Sequence, residues 1–276
     1  MKKILYILLA CSGLLFAGCE EVIDVDLATG TKRLVVDASI NWVKGTPGNE
    51  QIIKLTTTTG YYDAEIPVAT GATVTVVNST GTLYEFTEVP GTGQYVCQYF
   101  VPQINEAYTL TIIYNGQTYT GSETLYDVPD ITSITQSEDG GFEGDETEIR
   151  FFFNDNAAEE NYYLSRFDAE FLTIPEYGVN EDRFTNGNEM FDFISDEDVE
   201  PQDVIDIKLY GISKQYYNYM AKLLEVAGGG GGGPFTTPPA TVRGNVVNQT
   251  DEANYPLGYF RLSRVSAVSY EVQPTE

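Results

Sequence analysis

Short stretches in which apolar and polar residues alternate recur along most of the chain, and they predict a mainly β fold. The clearest is Ala107–Tyr114, where every second residue from Tyr108 onward is apolar and two of the three residues between them are threonines. Such alternation is typical of a strand with one buried face. Asn115 and Gly116 follow directly and favour a two-residue type I′ hairpin turn, because both residue types accept a positive φ.

Seven such stretches before residue 128 predict a β-sandwich over residues 32–127. They are Leu34–Asn41, Gln51–Thr59, Ala72–Val77, Leu83–Thr87, Gln94–Tyr99, Ala107–Tyr114 and Gln117–Ser122. The segment of this sandwich from Gly71 to Ile112 resembles immunoglobulin-like and transthyretin-like modules. Cys97 falls on the apolar face of the fifth stretch. We therefore predict that it is a small buried core residue and not a nucleophile.

Residues 128–276 are predicted to form a second β-rich domain, which begins at Val128. Its predicted strands are Ile149–Phe153, Asn161–Phe167, Val204–Ile212, Gly258–Ser263 and Ala267–Glu271. Two acidic stretches, Ser137–Glu148 and Asp196–Asp203, are predicted to be exposed loops because carboxylates crowd them. Exposed loops are cleaved readily by proteases. We therefore expect cleavage in the first loop to leave a folded N-terminal domain.

One helix is predicted over residues 213–227. Ser213 is a suitable N-cap residue. One face of a helix is indicated by apolar residues at the spacing i, i+3, i+4 and i+7, which are Tyr217, Met220, Ala221 and Leu224. Six glycines, residues 228–233, follow and predict a flexible loop. We predict that this helix, the glycine run and residues 234–239 contribute to an interaction surface.

The first nineteen residues have the features of a secretory signal that ends at a lipid-anchored cysteine. A basic start is followed by the apolar run Ile4–Phe16, which has 13 residues and is too short to span a membrane as a helix. Ala17 and Gly18 then precede Cys19, as in a lipobox. We predict that residues 1–18 are a signal peptide, that Cys19 carries palmitate-type acyl chains, and that residues 19–31 are an acidic tether.

Charge and composition exclude several functions. The 276 residues include 41 acidic and 15 basic side chains, a formal net charge of −26, and no histidine. Nucleic acid is therefore not an expected partner, because affinity for it comes mainly from lysine and arginine. A chain without histidine has neither a Ser-His-Asp triad nor a Cys-His pair. We expect a non-enzymatic protein, with no catalytic residue, no metal ligand and no cofactor assigned.

Some alternatives for individual residues remain open. Neighbouring carboxylates leave open a glycosidase-like acid pair, and Asn154–Asn156 and Ser195–Asp198 leave open a calcium loop, although neither has the EF-hand pattern. The prominent tyrosines are predicted to be core or rim residues, with stacking on sugars or a partner as the alternative. They are Tyr61, Tyr62, Tyr162, Tyr163, Tyr216, Tyr217 and Tyr219.

Motifs along nearly the whole chain after residue 18 resemble the Bacteroidota outer-membrane lipoprotein family catalogued as domain of unknown function 4249. The matching pieces are Cys19–Asp26, Arg33–Ala38, Gly71–Val76, Tyr108–Leu110, Phe153–Asp155, Asn161–Tyr163, Ile212–Ser213 with Tyr217 and Tyr219, Gly233–Phe235, Pro238–Pro239, Gly244–Val246 and Pro256–Phe260. The glycine run before Pro234 departs from this pattern.

The resemblance implies a lipid-anchored outer-membrane protein that acts beside a TonB-dependent receptor in nutrient capture. Glu20 and Glu21 resemble export signals that direct lipoproteins of that phylum to the cell surface. The family supplies no established catalytic residues. Two other function classes stay open. One is a fimbrial or adhesive subunit, for which Lys32-Arg33 resembles a processing site, and the other is a carbohydrate-binding module.

Replacing the predicted lipid-anchored cysteine tests the anchoring hypothesis. Cys19→Ala removes the only thiol at the lipobox position, so we expect soluble protein or an uncleaved precursor in place of a processed membrane protein. Membrane fractionation with mass spectrometry of the N-terminus measures both. A processed Cys19→Ala chain that still fractionates with the outer membrane would contradict the hypothesis.

Overall fold

The computed structural model describes residues 30–141, 143–227 and 242–274. The predicted signal peptide, Cys19, the tether up to residue 29 and the glycine run 228–233 lie outside these ranges. The same holds for the rest of the predicted interaction segment, residues 234–239.

The described residues form fifteen β-strands and one α-helix, which confirms the predicted mainly β fold. The elements are β1 (Leu34–Val43), β2 (Gln51–Thr57), β3 (Thr73–Asn78), β4 (Leu83–Val89), β5 (Gln94–Cys97), β6 (Ala107–Tyr114), β7 (Gln117–Thr124), β8 (Ile131–Gly140), β9 (Glu146–Asn154), β10 (Tyr162–Asp168), β11 (Glu176–Glu181), β12 (Glu189–Asp196), β13 (Val204–Ile212), α1 (Lys214–Ala227), β14 (Val247–Asn248) and β15 (Leu257–Glu271).

Twelve strands form one long sheet in the order β11-β10-β13-β15-β1-β2-β5-β4-β3-β6-β7-β14, and β12-β9-β8 form a second sheet. Strand β4 pairs with β5 on one side and with β3 on the other, so the long sheet folds back on itself. The fold encloses the core of an N-terminal β-sandwich. Buried side chains from both layers meet there, including Val36, Ile53, Tyr95, Leu110 and Ile112.

The predicted local features of this sandwich are present. Asn115 and Gly116 have φ values of 49° and 74°, as a type I′ turn requires, and they connect β6 to β7. Cys97 is completely buried in the sandwich core and forms no disulfide. These features depend on residues close together in sequence, which is why the alternation of side chains was sufficient to predict them.

Strand β15 departs from the predicted domain division, because it belongs to both halves of the molecule. Residues 257–265 pair in parallel with β1, and residues 265–271 pair antiparallel with β13. Phe260 and Leu262 are completely buried in the N-terminal core, together with Val246. Residues 242–264 are therefore not part of a separate second domain. The two predicted closing strands are one continuous strand.

The second half has its own core between the long sheet and the three-stranded sheet. From β9, Phe151 packs against Phe167 of β10 and Phe153 packs against Tyr163 of β10, with ring centroids 5.7 Å and 5.0 Å apart.

The acidic stretch Ser137–Glu148, predicted to be a loop, is the tip of the β8–β9 hairpin, so the prediction is wrong at both ends: the stretch begins inside β8 and ends inside β9. Of the acidic residues in its strand parts, Glu138 and Asp139 are exposed, whereas Glu146 and Glu148 are half-buried. The second acidic stretch, Asp196–Asp203, is the expected connection between β12 and β13.

Helix α1 occupies the predicted range, but its buried face is rotated. Ser213 caps it by accepting a hydrogen bond from the backbone N–H of Tyr216 at 3.1 Å. Tyr216 and Met220 are buried, whereas Tyr217 is only half-buried. The tyrosines of the underlying sheet select this face. Within the described ranges, no helix has the length and apolar character needed to cross a membrane.

The shared strand replaces the expectation of a folded N-terminal fragment after cleavage, because it predicts that the N-terminal half does not fold alone. A fragment of residues 30–127 lacks β15, so the core side chains of β1 lose Phe260 and Leu262 as neighbours. We expect this fragment to show no cooperative thermal transition by circular dichroism, in contrast to the full chain. Adding residues 128–276 should restore the transition. Cooperative unfolding of the fragment alone would contradict the importance of β15.

Candidate functional site

A cleft of about 1290 Å³ lies on the outer face of the long sheet. Its floor is formed by β1, β2, β10, β13 and β15. Helix α1 and the segment from Leu172 to Glu176, which leads into β11, also line it. The cleft crosses the junction at which β15 joins the two halves of the molecule. Its size exceeds that of a typical drug-sized pocket of roughly 300–1000 Å³ and suits an extended ligand.

Strand alternation explains why the cleft floor is polar. On β1, Val36, Ala38 and Ile40 point into the sandwich core, so the residues between them, including Asp37 and Ser39, face the cleft. The same alternation on β15 sends Phe260 and Leu262 inward and places Tyr259 and Arg261 in the cleft lining.

Tyrosine rings line the cleft beside the helix. Tyr216 and Tyr219 of α1 pack against Tyr259 of β15, with ring centroids 4.7 Å and 4.8 Å from that of Tyr259. Of the tyrosines highlighted in the sequence, Tyr216 and Tyr219 lie in the cleft, whereas Tyr61 and Tyr62 are exposed at 85% and 77% outside its lining. The cleft thus offers flat aromatic surfaces with hydroxyl groups at their edges.

Arg261 lies beneath these rings and is only 6% exposed. Its Nη1 donates a hydrogen bond to Ser263 Oγ at 2.8 Å, and its Nε has no acceptor. The guanidinium carbon is 4.9 Å from the ring centroid of Tyr210 and 5.4 Å from that of Tyr216. Burial raises the pKa of Tyr216, and the charge of Arg261 opposes this rise.

A second guanidinium of the floor, that of Arg166, is already neutralised. Its Nη2 lies 2.5 Å from Asp168 Oδ1, and Lys208 Nζ lies 3.1 Å from the other carboxylate oxygen. Burial alone would raise the pKa of Asp168, but the hydrogen bonds from Arg166 and Lys208 outweigh it and lower that pKa. This carboxylate is ionised and holds both cations in place.

Glu123 joins three elements below the helix. Its carboxylate accepts hydrogen bonds from Ser213 Oγ at 2.7 Å and from Tyr259 Oη at 3.3 Å. Burial is the main effect on this group and raises its pKa, although these hydrogen bonds and the charge of Arg261 act in the opposite direction. Glu123 therefore fixes the start of α1 to β7 and β15, and through them it fixes one wall of the cleft.

The loop residues considered for calcium have other roles. Asp155 is buried and accepts hydrogen bonds from Tyr163 Oη at 2.6 Å and from the backbone N–H of Gly187 at 2.8 Å. In the second cluster, Ser195 Oγ donates to Glu146 at 2.8 Å. Over the described residues, no group of three or more acidic or cysteine side chains is arranged to hold a metal ion.

A separate aromatic platform lies on the outer face of the three-stranded sheet. It consists of Phe152, Phe191 and Phe193, of which Phe191 and Phe193 are exposed at 47% and 42%. The guanidinium carbon of Arg150 lies 4.5 Å from the ring centroid of Phe191. The side chain of Arg150 therefore already covers part of this surface.

Sequence reasoning did not identify Arg261, Tyr210 or Tyr259 as members of a site. Periodicity assigns Tyr210 and Tyr259 to strands without showing what covers their outer face. The one available signal was Arg261 itself, because a charged residue inside a mostly apolar strand is buried only when other groups compensate its charge.

Replacing Glu123 by glutamine tests the buried carboxylate. Because burial raises its pKa, the folded chain holds this proton more tightly than the unfolded chain. The stability that the protonated Glu123 contributes to the wild type is then lost as the pH rises from the ordinary pKa of 4.5 through the raised value. Glutamine cannot ionise. We expect Glu123→Gln to have the higher melting temperature at about pH 8, and this advantage to shrink toward about pH 5.

Thermal unfolding at both pH values measures this difference, with Glu85→Gln as the control because Glu85 is exposed. A Glu123→Gln chain that is no more stable than wild type at about pH 8 would show that the hydrogen bonds compensate fully for burial.

Comparison with known proteins gives one family and many structural matches, of which two have the following values. Two fibronectin type-III domains of chicken tenascin cover 65% of this chain and 90% of their own, with 11% identity and a TM-score of 0.21. A cytokine receptor complex covers 66% of this chain and 86% of its own, with 9% identity and a TM-score of 0.25. A search of curated proteins returned no match. The model of the family described as a domain of unknown function, DUF4249, matches residues 20–268, and the chain therefore belongs to that family.

Proposed function

We propose that this protein is a non-enzymatic, lipid-anchored outer-membrane protein, exposed at the cell surface, that captures a nutrient for a TonB-dependent receptor. The cleft is the observation that carries the proposal. It has a volume of about 1290 Å³, and its lining combines tyrosine rings with hydrogen-bonding and charged side chains. Such a combination is typical of ligand sites in which aromatic surfaces provide contact area and a few polar groups provide orientation.

The anchoring part of the proposal rests on the first nineteen residues. The apolar run Ile4–Phe16 and the following Ala17-Gly18-Cys19 support export and acylation. The described chain starts at residue 30, close to β1, and β1 contributes the Asp37 edge of the cleft floor. An anchor at Cys19 would keep the cleft close to the membrane, because the tether spans at most roughly 3.5 Å per extended residue.

The polar groups of the cleft support binding over catalysis. In the lining, Arg166 is held by Asp168, and behind the lining Glu123 is held by Ser213 and Tyr259. A charged group fixed in this way does not readily exchange protons with a ligand. Burial raises the pKa of Glu176, a further carboxyl in the cleft lining, with smaller contributions from nearby acidic residues. Glu176→Gln is therefore the variant that addresses the enzymatic alternative.

The topology makes an adhesive subunit that donates a terminal strand a weaker hypothesis. Strand β1 lies between β15 and β2, and β15 lies between β13 and β1, so neither is a free edge. Arg33, the residue of the proposed processing site, donates hydrogen bonds to the carbonyl oxygens of Ala253 and Tyr255, both at 3.1 Å. Donating either strand would require opening the centre of the long sheet.

A carbohydrate-binding module is a second candidate, and the aromatic platform favours it. Exposed rings on a sheet face are a common way to bind sugars by stacking. This surface has no hydroxyl groups of its own among its three phenylalanines, and Arg150 covers part of it. We therefore rank the cleft above the platform as the ligand site.

Affinity purification from detergent-solubilised outer membranes tests the proposal. We expect a tagged full chain to be enriched together with a TonB-dependent receptor, and the Cys19→Ala chain to lose that enrichment because it is not anchored. Ser39→Tyr, which fills the cleft floor, should keep the receptor but lose bound ligand. Thr75→Tyr is the matched control, because Thr75 is also a half-buried strand residue but lies outside the cleft.

Three results would contradict the proposal. One is enrichment of fimbrial subunits in place of a receptor. Another is sugar binding that survives Ser39→Tyr but is lost in Phe191→Ala, which would identify the platform as the site. The third is hydrolysis of glycans or peptides by the purified chain that Glu176→Gln abolishes.

A further inference from the structure

Arg261 is a buried cation in the cleft without a carboxylate partner. The side chain is 6% exposed, donates a hydrogen bond to the hydroxyl of Ser263 and interacts with the hydroxyl of Tyr216. Across the part of the chain that the structure describes, no carboxylate oxygen lies within 4.0 Å of its nitrogens. The other arginine of the cleft lining, Arg166, does have such a partner in Asp168.

This arrangement is unusual in so acidic a protein. The chain has 41 acidic side chains and a net charge of −26, so a carboxylate partner would be easy to supply. Burial of a charge is costly unless a counter-charge or several hydrogen bonds compensate it. The faces of Tyr210 and Tyr216 compensate part of the charge through cation–π contact. They leave the guanidinium without the bidentate acceptor that it binds best.

Two acidic residues in the surroundings of Arg261 form hydrogen bonds with other groups. Asp37, on the neighbouring strand, accepts a hydrogen bond from Ser39 Oγ at 3.1 Å. Glu123 interacts with Arg261 through its charge, but its carboxylate accepts hydrogen bonds from Ser213 and Tyr259. Neither carboxylate lies within 4.0 Å of the guanidinium, so among the described residues an anion from outside the chain has no competitor at ion-pairing distance.

A second unmatched polar atom lies near Arg261 on the cleft floor. Asn41 Oδ1 is buried and receives no hydrogen bond. The parallel register pairs Ser39 with Arg261 and Asn41 with Ser263. Because Arg261 Nη1 reaches Ser263, the guanidinium lies at the level of Asn41, one strand spacing of about 5 Å to the side. One ligand ring could thus offer an acidic group to Arg261 and a nearby hydroxyl group to Asn41.

We propose that Arg261 anchors a subsite for a ligand that carries a carboxylate on a hydroxylated ring, either a sugar acid or a hydroxyaromatic acid. This inference rests on the proposed capture function. The carboxylate pairs with the guanidinium of Arg261, a ring hydroxyl donates to Asn41, and the ring packs against tyrosines of the cleft such as Tyr216. The cleft volume of about 1290 Å³ leaves room for further rings on either side of this subsite.

Calorimetric titration of the purified full chain tests the inference without any variant. The probes are trigalacturonate, its methyl ester, neutral maltotriose and 4-hydroxyphenylacetate, in about 0.15 M salt to screen the negative charge of the protein. We expect at least one of the two acids to bind. The acid that binds shows whether the ligand is a sugar acid or a hydroxyaromatic acid. For a sugar acid, the methyl ester and maltotriose should bind at least about tenfold more weakly, because they lack the carboxylate.

Variants of Arg261 then assign the effect to this residue. Arg261→Met should weaken binding of the preferred acid at least about tenfold, and Arg261→Lys should weaken it less because the charge remains. Arg183→Met is the matched control, since it removes the same charge from an exposed position outside the cleft. Circular dichroism of each variant verifies the fold.

The outcomes distinguish a failure of the Arg261 subsite from a failure of the proposed capture function. If none of the four probes binds, both the subsite and the support for capture of small ring compounds are lost. If maltotriose or the methyl ester binds as tightly as the acid, the cleft captures a ligand but Arg261 does not select a carboxylate. Unchanged affinity in a folded Arg261→Met chain would lead to the same conclusion.

Discussion

The parallel pairing of β15 with β1 is the interaction on which the rest of the structure depends. It joins residues more than 200 positions apart and places the C-terminal strand in the middle of the long sheet. Gly258 permits the close approach, because its φ is 88° and an added Cβ would overlap the carbonyl oxygen of Val36. Phe260 and Leu262 then complete the N-terminal core. The entropy lost in closing so long a loop is offset by apolar burial in two cores at once.

The same strand creates the cleft. Residues of β15 that alternate with Phe260 and Leu262 point to the opposite face, where Tyr259 and Arg261 lie below helix α1. The position of the helix depends on Glu123, which connects its N-cap to β7 and to Tyr259. One face of β15 therefore packs in the core and the other lines the cleft, so a change in the register of this strand would alter both.

The sequence predicted the features that depend on near neighbours. Alternation in Ala107–Tyr114 was sufficient for β6 and its turn, and Ser213 was sufficient for the start of α1. It did not predict the pairing of β15, because a parallel contact between distant strands leaves no local pattern. Carboxylates in Ser137–Glu148 obscured the ends of β8 and β9, since the composition favoured a loop and no alternation marked the strands. Arg261 was missed for the same reason as β15, because its surroundings come from other elements.

A single strand that stabilises both halves should be protected as a single unit. Amide hydrogen exchange of peptides covering Leu257–Glu271, measured by mass spectrometry, tests this directly. The account predicts that residues 257–265 and residues 265–271 exchange at the same slow rate, limited by unfolding of the whole chain, because each half of the strand is paired on a different side of the junction. Rapid exchange of residues 257–265 while residues 265–271 remain protected would contradict it, because the N-terminal half would then be stable without its central strand.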